Sequence, residues 1–82
     1  MEKLRFELAK PLLIIKEDKG FLACGYVNVD TCNATGEACA IVRGVSNYDD
    51  MLSASVVAVS ESGVNLGIRL GDSGESALAK MR

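Results

Sequence analysis

Gly20-Phe21-Leu22-Ala23-Cys24-Gly25-Tyr26-Val27 is apolar or small at nearly every position, on both faces of an extended chain. A strand made from it cannot leave either face in water, so the rest of the chain must cover it from two sides. Just before it, Glu17-Asp18-Lys19-Gly20 reads as a hairpin turn, with Gly20 expected to supply a positive φ. Leu12-Leu13-Ile14-Ile15 is then the preceding strand, again apolar on both sides. Further back, Leu4, Phe6 and Leu8 alternate with Arg5 and Glu7, the period-2 pattern of a strand with one buried face. Pro11, which has no N–H to donate, marks a break or an edge position. The result is an N-terminal β-meander. Two neighbouring strands with two apolar faces each exceed what one small helical layer covers. One face of this region, residues 1–27, or part of it, is therefore expected to meet another subunit.

Eighty-two residues make one domain spanning 1–82, with a core small enough that association is a usual supplement. Nine basic and eleven acidic residues give a net charge of −2. No basic block exists to neutralise phosphates, which argues against nucleic-acid partners. The longest apolar run, Leu12 to Ile15, is far too short to span a bilayer, and the N-terminus lacks a signal-peptide core. A cytoplasmic protein with no membrane partner is expected. Three cysteines, an odd number, argue for reduced thiols. Histidine is absent, which removes Ser-His and Cys-His mechanisms and the commonest nitrogen ligand for metals.

Downstream of the meander, Asn28 to Gly36 is polar and short. Asn28 or Asp30 can cap one or two helical turns there, and Gly36 can stop them. Ala38 to Val42 is a fourth strand, punctuated by Gly44. Ser46 or Asn47 can cap a short helix over Tyr48 to Leu52. Val56, Val59, Gly63 and Leu66 fall on helical spacing, which predicts a helix over 54–66; a strand at Ser55 to Ser60 is the alternative. Ile68-Arg69-Leu70 reads as a short strand. Asp72 and Glu75 have capping-box spacing ahead of a last helix over Ser73 to Met81. The predicted class is α+β, a mixed and largely antiparallel sheet with its helices packed on one face.

Three segments together carry a resemblance: Gly20 to Tyr26, Val42-Arg43-Gly44-Val45 leading to Asp49-Asp50-Met51-Leu52, and Gly67-Ile68-Arg69-Leu70-Gly71-Asp72-Ser73-Gly74 running on to Leu78. Their order and spacing resemble the YunC-like family of small bacterial and archaeal proteins, a domain of unknown function. The resemblance implies an α+β fold whose N-terminal β region is associated with tetramer formation. It also favours the helix over 54–66, and it brings no reaction with it.

The candidate chemistry centres on Cys24, a thiol between Gly20 and Gly25 where the backbone can admit a ligand. A nucleophilic cysteine needs a cation, a helix start or a base to lower its pKa; with no histidine, only Lys19, Arg43, Arg69 or the start of the next helix can do so, with Asp30 and Thr31 as further helpers. The competing account is a buried small hydrophobe in a central strand. Gly25, Tyr26, Asn28, Arg43 and Arg69 are candidates for binding a small ligand. Cys24, Cys32 and Cys39 lack the paired short spacing of a zinc site, even with Asp30 as a fourth ligand, so no metal and no cofactor are expected. The Gly67–Gly74 stretch is neither a P-loop nor a dinucleotide fingerprint, and turn and cap geometry explain its glycines. The leading expectation is a self-associating domain that binds a small ligand or a protein partner. A cysteine-dependent enzyme using Cys24 at a subunit boundary is the alternative.

Overall fold

Leu22 and Ala23 are adjacent in sequence, yet they sink into two separate apolar clusters on opposite faces of one sheet. This follows from the twofold period of a strand. The structure, a computed structural model, describes residues 2–82. Of the segment 1–27, Met1 thus lies outside the described residues. The strands are β1 (Glu2–Glu7), β2 (Pro11–Glu17), β3 (Gly20–Ala23), β4 (Cys39–Ile41) and β5 (Ala58–Val59), joined in the order β1-β2-β3-β4-β5. All neighbours are antiparallel except β3 and β4, which run parallel. The helices are α1 (Val29–Thr35), α2 (Tyr48–Ser53), α3 (Glu61–Asn65) and α4 (Gly74–Lys80). The predicted α+β class and N-terminal meander are as found.

The larger cluster takes Leu13 and Ile15 of β2, Leu22 and Cys24, and Ala40 and Val42, under Met51 of α2 and Ala77 and Leu78 of α4. The smaller one joins Ala23, Cys39 and Ile41 to Cys32 of α1. One-sided packing thus holds for α2 and α4, while α1 covers the other face. It has to: Ala23, Cys39 and Ile41 would otherwise lie bare.

Four further expectations are corrected. Gly20 has no positive φ. Its missing side chain instead makes room for Ala38, whose Cβ would lie 2.9 Å from a Cβ at position 20. The helix over 54–66 shrinks to α3. Ahead of it, Val57 N–H donates to Ile41 O and Val56 N–H to Asp72 O, both at 2.8 Å, so tertiary partners hold this stretch extended. Ile68 to Leu70 forms no strand. Ser73, not Asp72, caps α4, its hydroxyl accepting from Ser76 N–H at 3.1 Å.

The cysteine expectation is also corrected. Cys32 and Cys39 form a disulfide with a Cα–Cα separation of 6.5 Å, and Cys24 alone is free. Returning from α1 to β4 brings the two side chains together in the smaller cluster, a proximity that parity of the count cannot reveal. None of the described helices is long and apolar enough to cross a membrane.

The apolar surplus is displaced by one strand. Leu13, Ile15, Leu22, Ala23 and Cys24 are buried within one subunit, and Leu12, Ile14, Phe21 and Val27 are half-buried. The expectation that β1 buries one face is corrected: all six of its residues are exposed, and Leu4, Phe6 and Leu8, on and just past it, are bare at 47–56%. Tyr26, Val57, Val64 and Leu70 are the other exposed large apolar residues among those described. Among the described residues only β2 pairs with β1, and apart from the Tyr48 ring of α2, which lies 5.3 Å from Lys3 Nζ, the strand stands exposed.

Candidate functional site

Parallel β3 and β4 end side by side, the last link being Val42 N–H to Ala23 O at 2.9 Å. Beyond that point their connections part. The chain leaving β3 turns at Cys24–Val27, closed by Val27 N–H to Cys24 O at 3.1 Å, and enters α1 on the face of the smaller cluster. Asn28 caps α1, accepting from Asp30 N–H at 2.8 Å, because a short polar side chain reaches the free donors of a first turn. The chain leaving β4 passes Arg43 and Gly44, whose φ of 72° suits glycine, and crosses to the opposite face. There Asn47 caps α2, accepting from Asp50 N–H at 2.8 Å, and Met51 anchors the helix in the larger cluster. Two parallel strands whose connections leave to opposite faces open a crevice at their carboxyl ends. In open α/β sheets this switch point is where ligands bind.

A cleft of about 550 Å³ lies there, lined by Cys24, Gly25 and Tyr26 from the β3 side and by Arg43, Gly44, Val45 and Ser46 from the β4 side, with Lys10 and Pro11 closing the end. Arg43, Gly25 and Tyr26 also line a second cleft of about 340 Å³, with Asn28 on its α1 side. Gly25 matters through what it lacks: a Cβ there would lie 3.3 Å from Cγ of Arg43, so the arginine stem lies over bare backbone. Tyr26 is anchored from behind, its hydroxyl accepting from Lys10 N–H at 3.2 Å.

The candidates divide cleanly. Cys24, Gly25, Tyr26, Asn28 and Arg43 are brought together around Arg43. Asp30 and Thr31 lie exposed on α1 and line neither cleft. Arg69 lies in the turn before α4, where its N–H donates to Asp72. Lys10 and Ser46 were missed. Lys10 is brought in by the β2–β3 pairing, and no local pattern around it carries a signal.

Cys24 is committed to the backbone. Its sulfur accepts from Leu13 N–H at 3.3 Å and faces Pro11 O at 3.8 Å, and the residue is 4% exposed. With Cys32 and Cys39 bonded to each other, the three thiols form no ligand set, and no cluster of three metal-ligating side chains occurs among the described residues. The Gly67–Gly74 stretch is closed by its own charges. Asp72 receives Lys80 Nζ at 2.8 Å and Arg69 N–H at 3.0 Å, and these bonds, the lysine's first, hold its carboxyl below the usual range.

Residues 23–81 match the sequence model of a family described as a domain of unknown function, DUF1805. The chain belongs to the DUF1805 family. It is 33% identical to the uncharacterized protein YunC of Bacillus subtilis (strain 168), over 84% of this chain and 72% of that one. A crystal structure of a protein of unknown function, TA1206 from Thermoplasma acidophilum, superposes with a TM-score of 0.86 at 34% identity, covering 99% of this chain and 92% of that one. The YunC-like resemblance read from the glycine-bearing segments thus stands.

Proposed function

We propose that this DUF1805 chain is a homo-oligomeric binding domain that assembles through its N-terminal strands, as a dimer or tetramer, and offers its crevice to a small ligand. The observation that carries the assembly is β1: an edge strand whose outer backbone groups are unpaired and whose apolar residues Leu4 and Phe6, with Leu8 just past it, are half exposed. A long edge of this kind is a template for another strand. The sequence of β1 suits a second copy of itself. Antiparallel pairing centred on Phe6 puts Phe6 opposite Phe6, Arg5 opposite Glu7 and Leu4 opposite Leu8, which matches charges and aligns the apolar residues.

Cross-linking tests this register. An Arg5→Cys chain mixed with a Glu7→Cys chain under mild oxidation is expected to give a covalent heterodimer, while neither chain alone does so. Equal cross-linking in all three samples, or none in the mixture, contradicts the pairing. The alternative, a cysteine-dependent enzyme, gains no support from the site: the Cys24 sulfur is buried and already holds backbone partners.

A further inference from the structure

The chain carries more acidic than basic residues, yet no aspartate or glutamate lines either cleft at the ends of β3 and β4. Their charged lining is Arg43, shared by both, and Lys10. The contrast with the third cleft is direct: beside the β2–β3 turn, Glu17, Asp18 and Glu37 are interleaved with Lys16 and Lys19. Among the described residues, neither the Arg43 guanidinium nor Lys10 Nζ has an ion-pair or side-chain hydrogen-bond partner. Of the other cations, Arg5, Lys80 and Arg82 are paired with Glu7, Asp72 and Glu17. One carboxylate borders the first cleft from outside its lining: Asp50 of α2 accepts from the N–H of Ser46 at 3.1 Å.

Further donors lie at the same place. The backbone N–H groups of Gly44 and Val45, outside any strand or helix, donate to no protein acceptor among the described residues. Ser46 adds a hydroxyl. A guanidinium, an ammonium, a hydroxyl and free amide donors, with no carboxylate in the lining, make a positive crevice in a negative chain.

We infer that this crevice is an oxyanion site: it takes a small molecule by a carboxylate or phosphate group, with Arg43 as the principal ligand and Lys10 as its second cation. The inference rests on the crevice being a binding site and is independent of assembly. Arg43 presents a planar fork that matches an oxyanion with two parallel hydrogen bonds. Its stem is steadied over Gly25, and the apolar walls from Pro11 and Val45 leave room for the body of a small organic acid or phosphate ester.

The test is titration of the ¹⁵N-labelled full chain with inorganic phosphate and, separately, with acetate, at constant ionic strength balanced with chloride. Saturable shifts concentrated at Gly25, Tyr26, Gly44 and Val45 are expected, and the two anions distinguish a phosphate from a carboxylate site. Arg43→Gln is expected to weaken binding about tenfold or more; Lys10→Gln weakens it less, and Arg69→Gln, outside the crevice, leaves it unchanged. Should Arg43→Gln lose its dispersed spectrum, Lys10→Gln against Arg69→Gln decides. No saturable shift with either anion, or shifts spread equally over Lys16, Lys19 and Arg69, overturns the inference. Light scattering on the same samples separates the two claims: a monomer that titrates at the crevice retains the anion site and sinks the assembly, and an oligomer that does not titrate does the reverse.

Discussion

The carbonyl oxygen of Met51, in α2, occupies the place a side chain on Gly74, at the start of α4, would need. A Cβ there would fall well inside van der Waals contact with that oxygen and 2.9 Å from Cδ2 of Leu22. The neighbour is backbone, which cannot swing aside. α2 and α4 therefore reach the sheet together only because position 74 is bare. Gly74→Ala is expected to cost about 3 kcal/mol, although alanine is the better helix former. Chemical denaturation of the two chains checks this, and an unchanged or raised midpoint contradicts the packing.

The Cys32–Cys39 bond ties the middle of α1 to the start of β4 and closes a short loop. Closing a loop of this size is worth about 2 kcal/mol in the chain-entropy account. Reduction, or the double change Cys32→Ser with Cys39→Ser, should lower the denaturation midpoint accordingly. Thiol titration of the unfolded, unreduced chain should give one reactive group, Cys24. Three groups, or a midpoint indifferent to reductant, would count against the bond.

Asp72 links the turn before α4 to Lys80 near its end, and its carboxyl is held below the usual range by that lysine and by Arg69 N–H. A depressed folded-state pKa stabilises above the unfolded value of about 3.9 and stops doing so as pH falls through the folded value. The stability difference between the wild-type chain and Asp72→Asn should be full at pH 6 and shrink below about pH 4. A difference that stays constant down to pH 2 would show that the ion pair is not its source.

Gly25 separates packing from binding. A bulkier residue there meets the flexible Arg43 stem, not backbone, so Gly25→Val should change the melting temperature little while displacing the guanidinium. Phosphate affinity should fall several-fold in that variant. A large loss of stability with unchanged affinity would contradict the placement of Arg43.

Much of this was legible in the residues. Alternation in β1 and the doubly apolar β2 and β3 announced the meander, and the caps offered at Asn28 or Asp30 and at Ser46 or Asn47 announced α1 and α2, the asparagine serving in both. Cys24, Gly25 and Tyr26 share one segment and were readable together, whereas Arg43 stood in the sequence on a par with Arg69, and only the parallel pairing of β3 with β4 sets it apart. What was not legible depended on distant partners. Val56 and Val59 lie on helical spacing, and it is Asp72 and Ile41 that hold Val56 and Val57 in extended chain. The approach of Cys32 to Cys39 and of Lys10 to Tyr26 is likewise set by the return of the chain. The bare surplus fell on β1 because α1, seven residues long, covers the sheet around β4 and leaves the β1 edge open.

The mass of the chain in solution tests assembly through β1 most directly. Light scattering on the 8.7 kDa chain at micromolar concentration should give two or four times that mass, and Phe6→Asp should return it to one. A wild-type chain that stays at the mass of a single copy across that range would contradict the account.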